Sequence, residues 1–113
     1  MDKNIEGILA EYVAGVKRIF GKHLKTVILY GSYARGDYND DSDIDIMILL
    51  DVSDFDAKNY LNSLVDLTYD INDKYDTDIM PMMKNKAEFY HWIPAYPFYV
   101  NVDKEGVRLY DAA

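Results

Sequence analysis

Hydrophobic positions near the start of the chain follow a helical repeat. Over residues 5–20 the apolar side chains recur at steps of three and four, which places them on one face of an amphipathic helix. Gly21 follows this repeat and is expected to end the helix. A second stretch with helical spacing covers residues 54–75, with Ser53 or Asp54 as its N-cap. The pattern therefore predicts two long helices.

Short runs of β-branched and aromatic residues alternate with these helices and predict strands. Residues 26–30 form one such run, which stops at Gly31, and residues 43–50 form a second run. Residues 77–82 are expected to form a third strand. Within it, Pro81 lacks an N–H and is therefore restricted to a sheet edge or to the end of a strand.

The remaining segments are polar or carry a mixed pattern. Residues 38–42 are polar or turn-forming and predict a loop. After Lys84 prolines interrupt an aromatic stretch, and we expect only a short helix over about residues 97–104 and a last strand over residues 107–110. The order of elements predicts one α/β (α+β) domain over residues 1–113, with a small mixed sheet of three to four strands flanked by helices.

The charge balance limits the partners of the chain. It carries 12 Lys and Arg against 20 Asp and Glu, a formal net charge of −8, which repels the phosphates of nucleic acids and of anionic lipids. We therefore expect no direct binding to nucleic acid. Because cysteine is absent, disulfides, thiolate metal sites and a cysteine nucleophile are excluded. With neither a signal-peptide pattern nor an apolar run of about 20 residues, we expect a cytoplasmic protein without membrane association.

The second predicted strand begins with two acidic residues. Asp43 and Asp45 are two positions apart, so their side chains point to the same face, about 6.6 Å apart along the strand. Met47 and Leu49 continue that face. Taken alone, such a pair is most often the solvent face of a strand, but two carboxylates beside apolar neighbours favour a bound cation, and Mg²⁺ prefers such oxygen ligands together with substrate phosphates.

A glycine and a hydroxyl residue follow the first predicted strand. Backbone N–H groups at Gly31 and Ser32, where a helix is expected to begin, would suit a phosphate, and the Ser32 hydroxyl adds a donor. Arg35 lies one turn later and supplies a fixed positive charge. Taken alone, Gly31-Ser32 is most often only a turn, and Arg35 is most often a surface charge. Their conjunction predicts a site in which strand-end amides hold the phosphates of an NTP while Asp43 and Asp45 hold metal ions.

Two other motifs with related spacing fail. Gly31 and Gly36 have the spacing of a P-loop, but Asp37 stands where its lysine is required. An EF-hand loop beginning at Asp37 would place Ser42 at the glycine position and Ile48 at the position of the bidentate glutamate.

The spacing that does fit is Gly-Ser, ten residues, Asp-x-Asp. The run from Gly31-Ser32 to Asp43-Ile44-Asp45 resembles the nucleotidyltransferase signature of the DNA polymerase beta superfamily, and its context resembles the minimal nucleotidyltransferase (MNT) branch. The resemblance extends over most of the chain and implies the nucleotidyltransferase fold. It also implies a third carboxylate on the strand after the second long helix, where Asp78 is the matching position and Asp76 the alternative. Thr77 and Pro81 depart from the family pattern there.

The resemblance implies a reaction and a set of roles. Two Mg²⁺ ions bind ATP or another NTP, an acceptor hydroxyl attacks the α-phosphorus, and pyrophosphate leaves. Asp43 and Asp45 ligate both ions, while Asp78 ligates one and lies near the acceptor hydroxyl, where it could take the proton. Gly31, Ser32 and Arg35 bind the nucleotide.

The acceptor is expected to come from another chain, because one short domain leaves no room for an acceptor pocket. Free-standing MNT proteins typically pair with a helical HEPN toxin, and the resemblance implies transfer of AMP to a tyrosine of that partner. Two alternatives stay open: modification of a small molecule with a different helical partner, and an antitoxin that neutralises its partner by binding alone. Self-association into a homo-oligomer also stays open.

An aromatic stretch over residues 89–99 has two interpretations. Its rings either complete the core or form part of a partner interface, where Trp and Tyr are enriched. His23 and His91 are each isolated in sequence from any nucleophile or metal ligand, and we expect structural or surface roles for both.

Overall fold

The first predicted helix forms and is followed by a short 3₁₀ turn that begins at Gly21. The computed structural model describes residues 3–112. Its helices are α1 (Lys3–Phe20), α2 (Ser32–Arg35), α3 (Asp54–Ala57), α4 (Leu61–Tyr75), α5 (Lys86–Trp92) and α6 (Pro97–Glu105), and its strands are β1 (Leu24–Tyr30), β2 (Ile44–Leu50), β3 (Ile79–Asn85) and β4 (Val107–Asp111). Among these residues, no helix combines the length and the apolar character needed to cross a bilayer.

The four strands form one mixed sheet in the order β3-β2-β1-β4. β1 is antiparallel to both β2 and β4, and β2 is parallel to β3. The register places Tyr30 opposite Asp45 and Ile44 opposite Ile79. The prediction of a small mixed sheet flanked by helices is therefore confirmed.

The sheet is covered on both faces, and β2 is buried between the two layers. Alternate residues of β2 pack into the larger core against α1 and α4, and these are Ile44, Ile46, Ile48 and Leu50. Met47 and Leu49 point to the other face, where they pack with Phe89 of α5 and Val102 of α6. Burial on both faces explains why β2 is an almost continuous aliphatic run.

The second long helix is interrupted, which corrects the prediction of one helix over residues 54–75. α3 has a single turn, a 3₁₀ turn over Lys58–Tyr60 follows, and α4 begins only at Leu61. Ser53 is the N-cap of α3, since its hydroxyl accepts a hydrogen bond from the Asp56 N–H at 3.0 Å. That part of the prediction is confirmed.

β3 lies further along the chain than the predicted strand over residues 77–82. α4 ends at Tyr75, and its C-cap Asp76 has the left-handed angles φ 54° and ψ 48°, so Thr77 and Asp78 lie between the helix and the strand. Pro81 is accommodated because β3 is an edge strand, as its missing N–H requires.

The structure contains a helix after Lys84, α5, that the mixed sequence pattern does not predict. The Asn85 side chain caps α5 by accepting a hydrogen bond from the Glu88 N–H at 2.9 Å. α6 and β4 form within one residue of the predicted bounds.

Candidate active site

A glycine turn after β1 presses the backbone against an acidic side chain of β2. Gly31 has φ 74° and ψ −155°, a region open essentially to glycine alone. A Cβ built on Gly31 would collide with Oδ2 of Asp45. The position therefore requires glycine for two separate reasons, the backbone angles and the contact with Asp45.

α2 follows this turn directly and carries two of the predicted nucleotide-binding residues. The Gly31 carbonyl accepts hydrogen bonds from the N–H groups of Ala34 and Arg35, both at 3.1 Å. Ser32 and Arg35 are three residues apart and line the same cavity. The predicted helix start after β1 is therefore present, although it is only one turn long.

The guanidinium of Arg35 is held at the surface by two carboxylates. Its Nε lies 3.3 Å from Asp37, and its Nη1 lies 3.7 Å from Glu105 on α6. Because the Arg35 side chain is 45% exposed, these pairs hold it weakly and leave it able to turn toward an anionic ligand.

Asp43 and Asp45 lie on either side of the first residue of β2. The strand begins at Ile44, one residue later than predicted. Both carboxylate side chains line the cavity that Ser32 and Arg35 also line. Met47 and Leu49 continue the Asp45 face into the smaller core, as the strand alternation predicts.

Negative charge is crowded in this cavity. Burial, followed by repulsion from Asp43, raises the pKa of Asp45, while the nearby charge of Arg35 acts in the opposite direction. Burial and the Asp45 charge likewise raise the pKa of Tyr30, the cross-strand neighbour of Asp45. Binding of a cation here would relieve this repulsion.

The third predicted carboxylate is brought beside the first by the parallel pairing of β3 with β2. The Ile44 N–H donates to the Asp78 carbonyl at 2.8 Å, which aligns Asp78 with Asp43. A hydrogen bond with the Asp43 carboxylate, followed by desolvation and by repulsion from Asp43 and Asp45, raises the pKa of Asp78. Asp76, the alternative, forms the left-handed end of α4 instead.

Asn72 organises the turn that delivers Asp78. Its Oδ1 accepts hydrogen bonds from the Ile79 N–H at 2.8 Å and from the Thr77 hydroxyl at 2.9 Å. Its Nδ2 donates to the Ile79 carbonyl at 3.3 Å. Both residues that flank Asp78 are thus tied to one side chain of α4. Sequence analysis missed Asn72, because a lone asparagine near the end of a helix carries no distinctive signal.

The donor chemistry of the trio fits Mg²⁺. Three carboxylates supply the hard oxygen ligands that this ion prefers, and a cation among them would relieve their mutual repulsion. Within residues 3–112, no group of three or more acidic or histidine side chains is arranged to hold a metal ion by itself. Mg²⁺ commonly uses one or two carboxylates together with waters and substrate phosphates, so an incomplete protein shell is compatible with such a site.

A cavity of about 560 Å³ connects these residues with α6. One wall carries the predicted residues of the Gly31–Asp45 region, and the opposite wall is formed by Phe98, Asn101, Val102 and Glu105. The α6 wall was not foreseen, because its approach to α2 is a tertiary contact between segments about 70 residues apart in sequence.

A second cavity, of about 690 Å³, lies on the other side of the loop before β2. Asp41 and Ser42 line both cavities, whereas Asp78 lines only the second. Tyr33 and Tyr38 also line it and stack in parallel, with ring centroids 4.1 Å apart. Asp78 therefore faces a different opening from the one that Asp45 lines.

The aromatic stretch over residues 89–99 is partly buried and partly exposed. Phe89 is fully buried in the smaller core and contacts the ring of Tyr99. Four rings of the same stretch remain between 40% and 51% exposed, and these are Tyr90, Trp92, Tyr96 and Phe98.

The two histidines take no part in the candidate site. His23 pairs with Asp51 at 2.7 Å beyond the opposite end of β1. His91 lies on α5, exposed, with its ring packed edge-on against Trp92. Neither lines the two cavities described above.

Comparison with known families agrees with this geometry. The nucleotidyltransferase domain family matches residues 9–109, and the chain belongs to this family. It is a nucleotidyltransferase, an enzyme that acts on a nucleotide substrate.

Two relatives from Methanocaldococcus jannaschii bear the provisional name of protein adenylyltransferase. One is 38% identical over 107 residues, which cover 95% of this chain and 99% of the relative. The other is 34% identical over 80 residues, which cover 71% of this chain and 79% of the relative.

Solved structures share the fold at low sequence identity. A crystal structure of a toxin–antitoxin with AMP-PNP matches with a TM-score of 0.57 and 18% identity, over 95% of this chain and 73% of that chain. A mutant form of the toxin–antitoxin MntA-HpeT matches with a TM-score of 0.56 and 16% identity, over the same shares of both chains.

Proposed function

We propose that this single domain transfers AMP from ATP to a hydroxyl group of a partner protein. The observation that carries this proposal is that Asp43 and Asp45 line one cavity with the Gly31-Ser32 turn and Arg35, while Asp78 lies beside Asp43 on the neighbouring strand. The provisional name of the relatives, protein adenylyltransferase, supports AMP as the transferred group.

Asp43, Asp45 and Asp78 are the residues that would hold Mg²⁺, and two ions fit the family's chemistry. When bound, the ions neutralise the triphosphate and stabilise the charge that develops on the attacking and leaving oxygens. Ser32 donates its hydroxyl to a phosphate oxygen, and Gly31 allows the backbone to approach it closely. Arg35 exchanges its weak contacts with Asp37 and Glu105 for the phosphates.

The reaction needs one proton acceptor and one leaving group. The acceptor oxygen forms a bond to the α-phosphorus while the bond between that phosphorus and the bridging oxygen to the β-phosphate breaks. Pyrophosphate leaves with the bonding pair. Asp78, which lies beside Asp43 at the start of β3, takes the proton of the acceptor hydroxyl.

The acceptor enters through the second cavity, because Asp78 lines it while Asp45 lines the first. The two substrates would then approach the carboxylates from different openings. We propose that the acceptor is a tyrosine of a HEPN toxin, so that the transfer neutralises the toxin. The toxin–antitoxin complexes that share this fold support a toxin as the partner.

The test combines the protein with the product of the adjacent reading frame, Mg²⁺ and ATP labelled at the α-phosphate. We expect label on one tyrosine of the partner, mapped by mass spectrometry, and no label with Asp43→Ala or Asp45→Ala. Asp66→Ala, on the outer side of α4, is the matched control and should label normally. Absence of label on any partner protein would refute the proposal.

Two other functions predict different results in the same assay. If neutralisation of the partner survives Asp43→Ala and Asp45→Ala, the protein acts by binding alone. If label appears on a small molecule and not on the partner, the protein is the catalytic subunit of a small-molecule enzyme.

A further inference from the structure

Three residues of α6 form a polar and aromatic stripe along the nucleotide cavity. Phe98, Asn101 and Glu105 are spaced at i, i+3 and i+7, which places them on one face of the helix, and all three line the cavity. Val102 lies beneath them, buried at 1% exposure in the smaller core. The stripe is therefore fixed to the sheet and faces the Gly31–Asp45 wall.

Phe98 provides an aromatic platform at this cavity. Its side chain remains 43% exposed. Tyr30 supports it edge-on from β1, with ring centroids 5.6 Å apart at an angle of 78°. A planar ligand in the cavity could stack on the exposed ring surface, as nucleobases do on aromatic side chains.

Asn101 offers a free amide one helical turn from Phe98. Across residues 3–112 its side chain makes no hydrogen bond, and it is exposed at the cavity wall. An amide presents one donor group and one acceptor side by side. It is thus available to pair with a ligand that presents the complementary pair.

We infer that Phe98 and Asn101 form the nucleobase subsite and that Asn101 selects adenine. This inference rests on the proposed function, because it assumes that the triphosphate lies against Ser32 and Arg35. Glu105 pairs with Arg35 at 3.7 Å, so this end of the α6 stripe lies next to the side of the cavity where the triphosphate is proposed to bind.

The hydrogen-bond pattern of adenine explains the choice. Its N6 amino group lies between two ring nitrogens, N1 and N7, so both adjacent edges present a donor beside an acceptor. The Asn101 amide matches either edge. Guanine presents two acceptors, O6 and N7, on one of these edges, where an amide can satisfy only one of them. Because the O6 and N1–H of guanine would also match an amide, we infer that Asn101 reads the edge that carries N7.

The test is equilibrium binding, measured by calorimetry in Mg²⁺, of the α,β-imido analogues of ATP and GTP, in which nitrogen replaces the bridging oxygen that the transfer would release. In Asn101→Asp the carboxylate accepts but cannot donate, so it repels an adenine ring nitrogen and accepts from the N1–H and N2 amino groups of guanine. We expect the preference for the ATP analogue over the GTP analogue to fall at least about tenfold. The ratio cancels the general repulsion between the added charge and the triphosphates.

Phe98→Ala tests the platform separately. Loss of stacking should weaken both analogues alike, by about tenfold or more. Asn62→Asp and Phe55→Ala are the matched controls, since both residues are exposed on helices of the other layer. Thermal unfolding checks that each variant is folded, and Phe98→Leu replaces Phe98→Ala if the latter is not.

The results separate this inference from the proposed function. If the wild type binds both analogues and Asn101→Asp keeps the same preference for the ATP analogue, the inference is overturned, while the proposal of AMP transfer is unaffected. Because the binding assay needs no acceptor, a shift in preference supports the subsite even if no partner is ever labelled. An equal loss in the control variants would also overturn it.

Discussion

Gly31 lies so close to the carboxylate of Asp45 that a Cβ at Gly31 would collide with Oδ2. This contact joins the proposed phosphate-binding side of the cavity to its acidic side. It links the end of β1 with the second residue of β2, and the register that pairs Tyr30 with Asp45 produces it.

Replacement of Gly31 by alanine should damage both stability and nucleotide binding. The backbone angles of Gly31 are nearly closed to other residues, and we expect Gly31→Ala to lower the free energy of unfolding by about 1–3 kcal/mol. Urea denaturation measures this change, and calorimetry measures the loss of affinity for the imido analogue of ATP.

Gly7→Ala is the control for this change. Gly7 lies exposed in α1 with nothing within 4 Å of a Cβ, and alanine there should stabilise the helix by about 1 kcal/mol. Equal stability of Gly31→Ala and the wild type would contradict the described geometry.

The crowded carboxylates should make the metal-free protein less stable as the pH rises. The pKa of Asp78 is raised above 3.8 by its hydrogen bond with Asp43, by desolvation and by repulsion. The folded protein therefore keeps a proton on Asp78 at pH values where the unfolded chain has already released it. The stabilisation that Asp78 contributes is fully present below pH 3.8, and it is lost as the pH rises through the pKa of Asp78 in the folded protein. The pKa of Asp45 is also raised, so its contribution to the free energy of unfolding falls with rising pH in the same way.

Asp78→Asn should accordingly raise the free energy of unfolding at neutral pH in EDTA, and the gain should vanish well below pH 3.8. Urea denaturation at several pH values measures both. Asp66→Asn, on the exposed side of α4, should change stability by less than about 0.5 kcal/mol. If Asp78→Asn is no more stable than the wild type at neutral pH, the three carboxylates do not repel one another as described.

Asn72 should act on the chemical step through the position of Asp78. Asn72→Ala removes the hydrogen bonds that hold Thr77 and Ile79 on either side of Asp78. We expect kcat for AMP transfer to fall by about tenfold to a hundredfold, because a small displacement of a catalytic group is costly. Affinity for the ATP analogue should stay within about threefold of wild type, since Asn72 does not line the nucleotide cavity.

A conservative variant distinguishes this positioning role from a general loss of structure. Asn72→Asp keeps the acceptor for the Ile79 N–H and the Thr77 hydroxyl, and it should recover part of the rate. Asn62→Ala is the control on the same helix. A parallel fall in kcat and nucleotide affinity in Asn72→Ala would indicate misfolding instead.

Trp92 should contribute to partner binding and little to folding. Its side chain is 45% exposed beside other exposed rings, and such residues dominate interface energies. Trp92→Glu should weaken the complex with the partner at least about tenfold, measured by calorimetry, with an unchanged melting temperature. Phe55→Glu, an exposed ring on α3, should leave affinity unchanged; the reverse outcome would move the interface to the α3 side of the sheet.

Local sequence patterns predicted the elements that line the first cavity on its β1 and β2 side. The β1 run, Gly31-Ser32, the Asp43 and Asp45 pair, and the edge position of Pro81 all follow from side-chain alternation and backbone chemistry. The placement of β3 did not, because the left-handed residue Asp76 and the hydrogen bonds of Asn72 depend on contacts that form only in the folded chain.

The α6 wall of the first cavity also could not be predicted from local sequence patterns. Phe98 and Asn101 face the cavity because Val102 anchors α6 to the sheet, which the pattern of a short, proline-interrupted aromatic segment does not reveal. The break at Lys58–Tyr60 is a further case, since residues 54–75 keep helical spacing across it.

The most direct test of the central claim compares ATP labelled at the α-phosphate with ATP labelled at the γ-phosphate, in the presence of Mg²⁺ and the partner. The three-carboxylate account predicts that only the α-label enters protein, that pyrophosphate is released in equal amount, and that Asp45→Asn abolishes both. Transfer of the γ-label, or α-label that persists in Asp45→Asn, would contradict it.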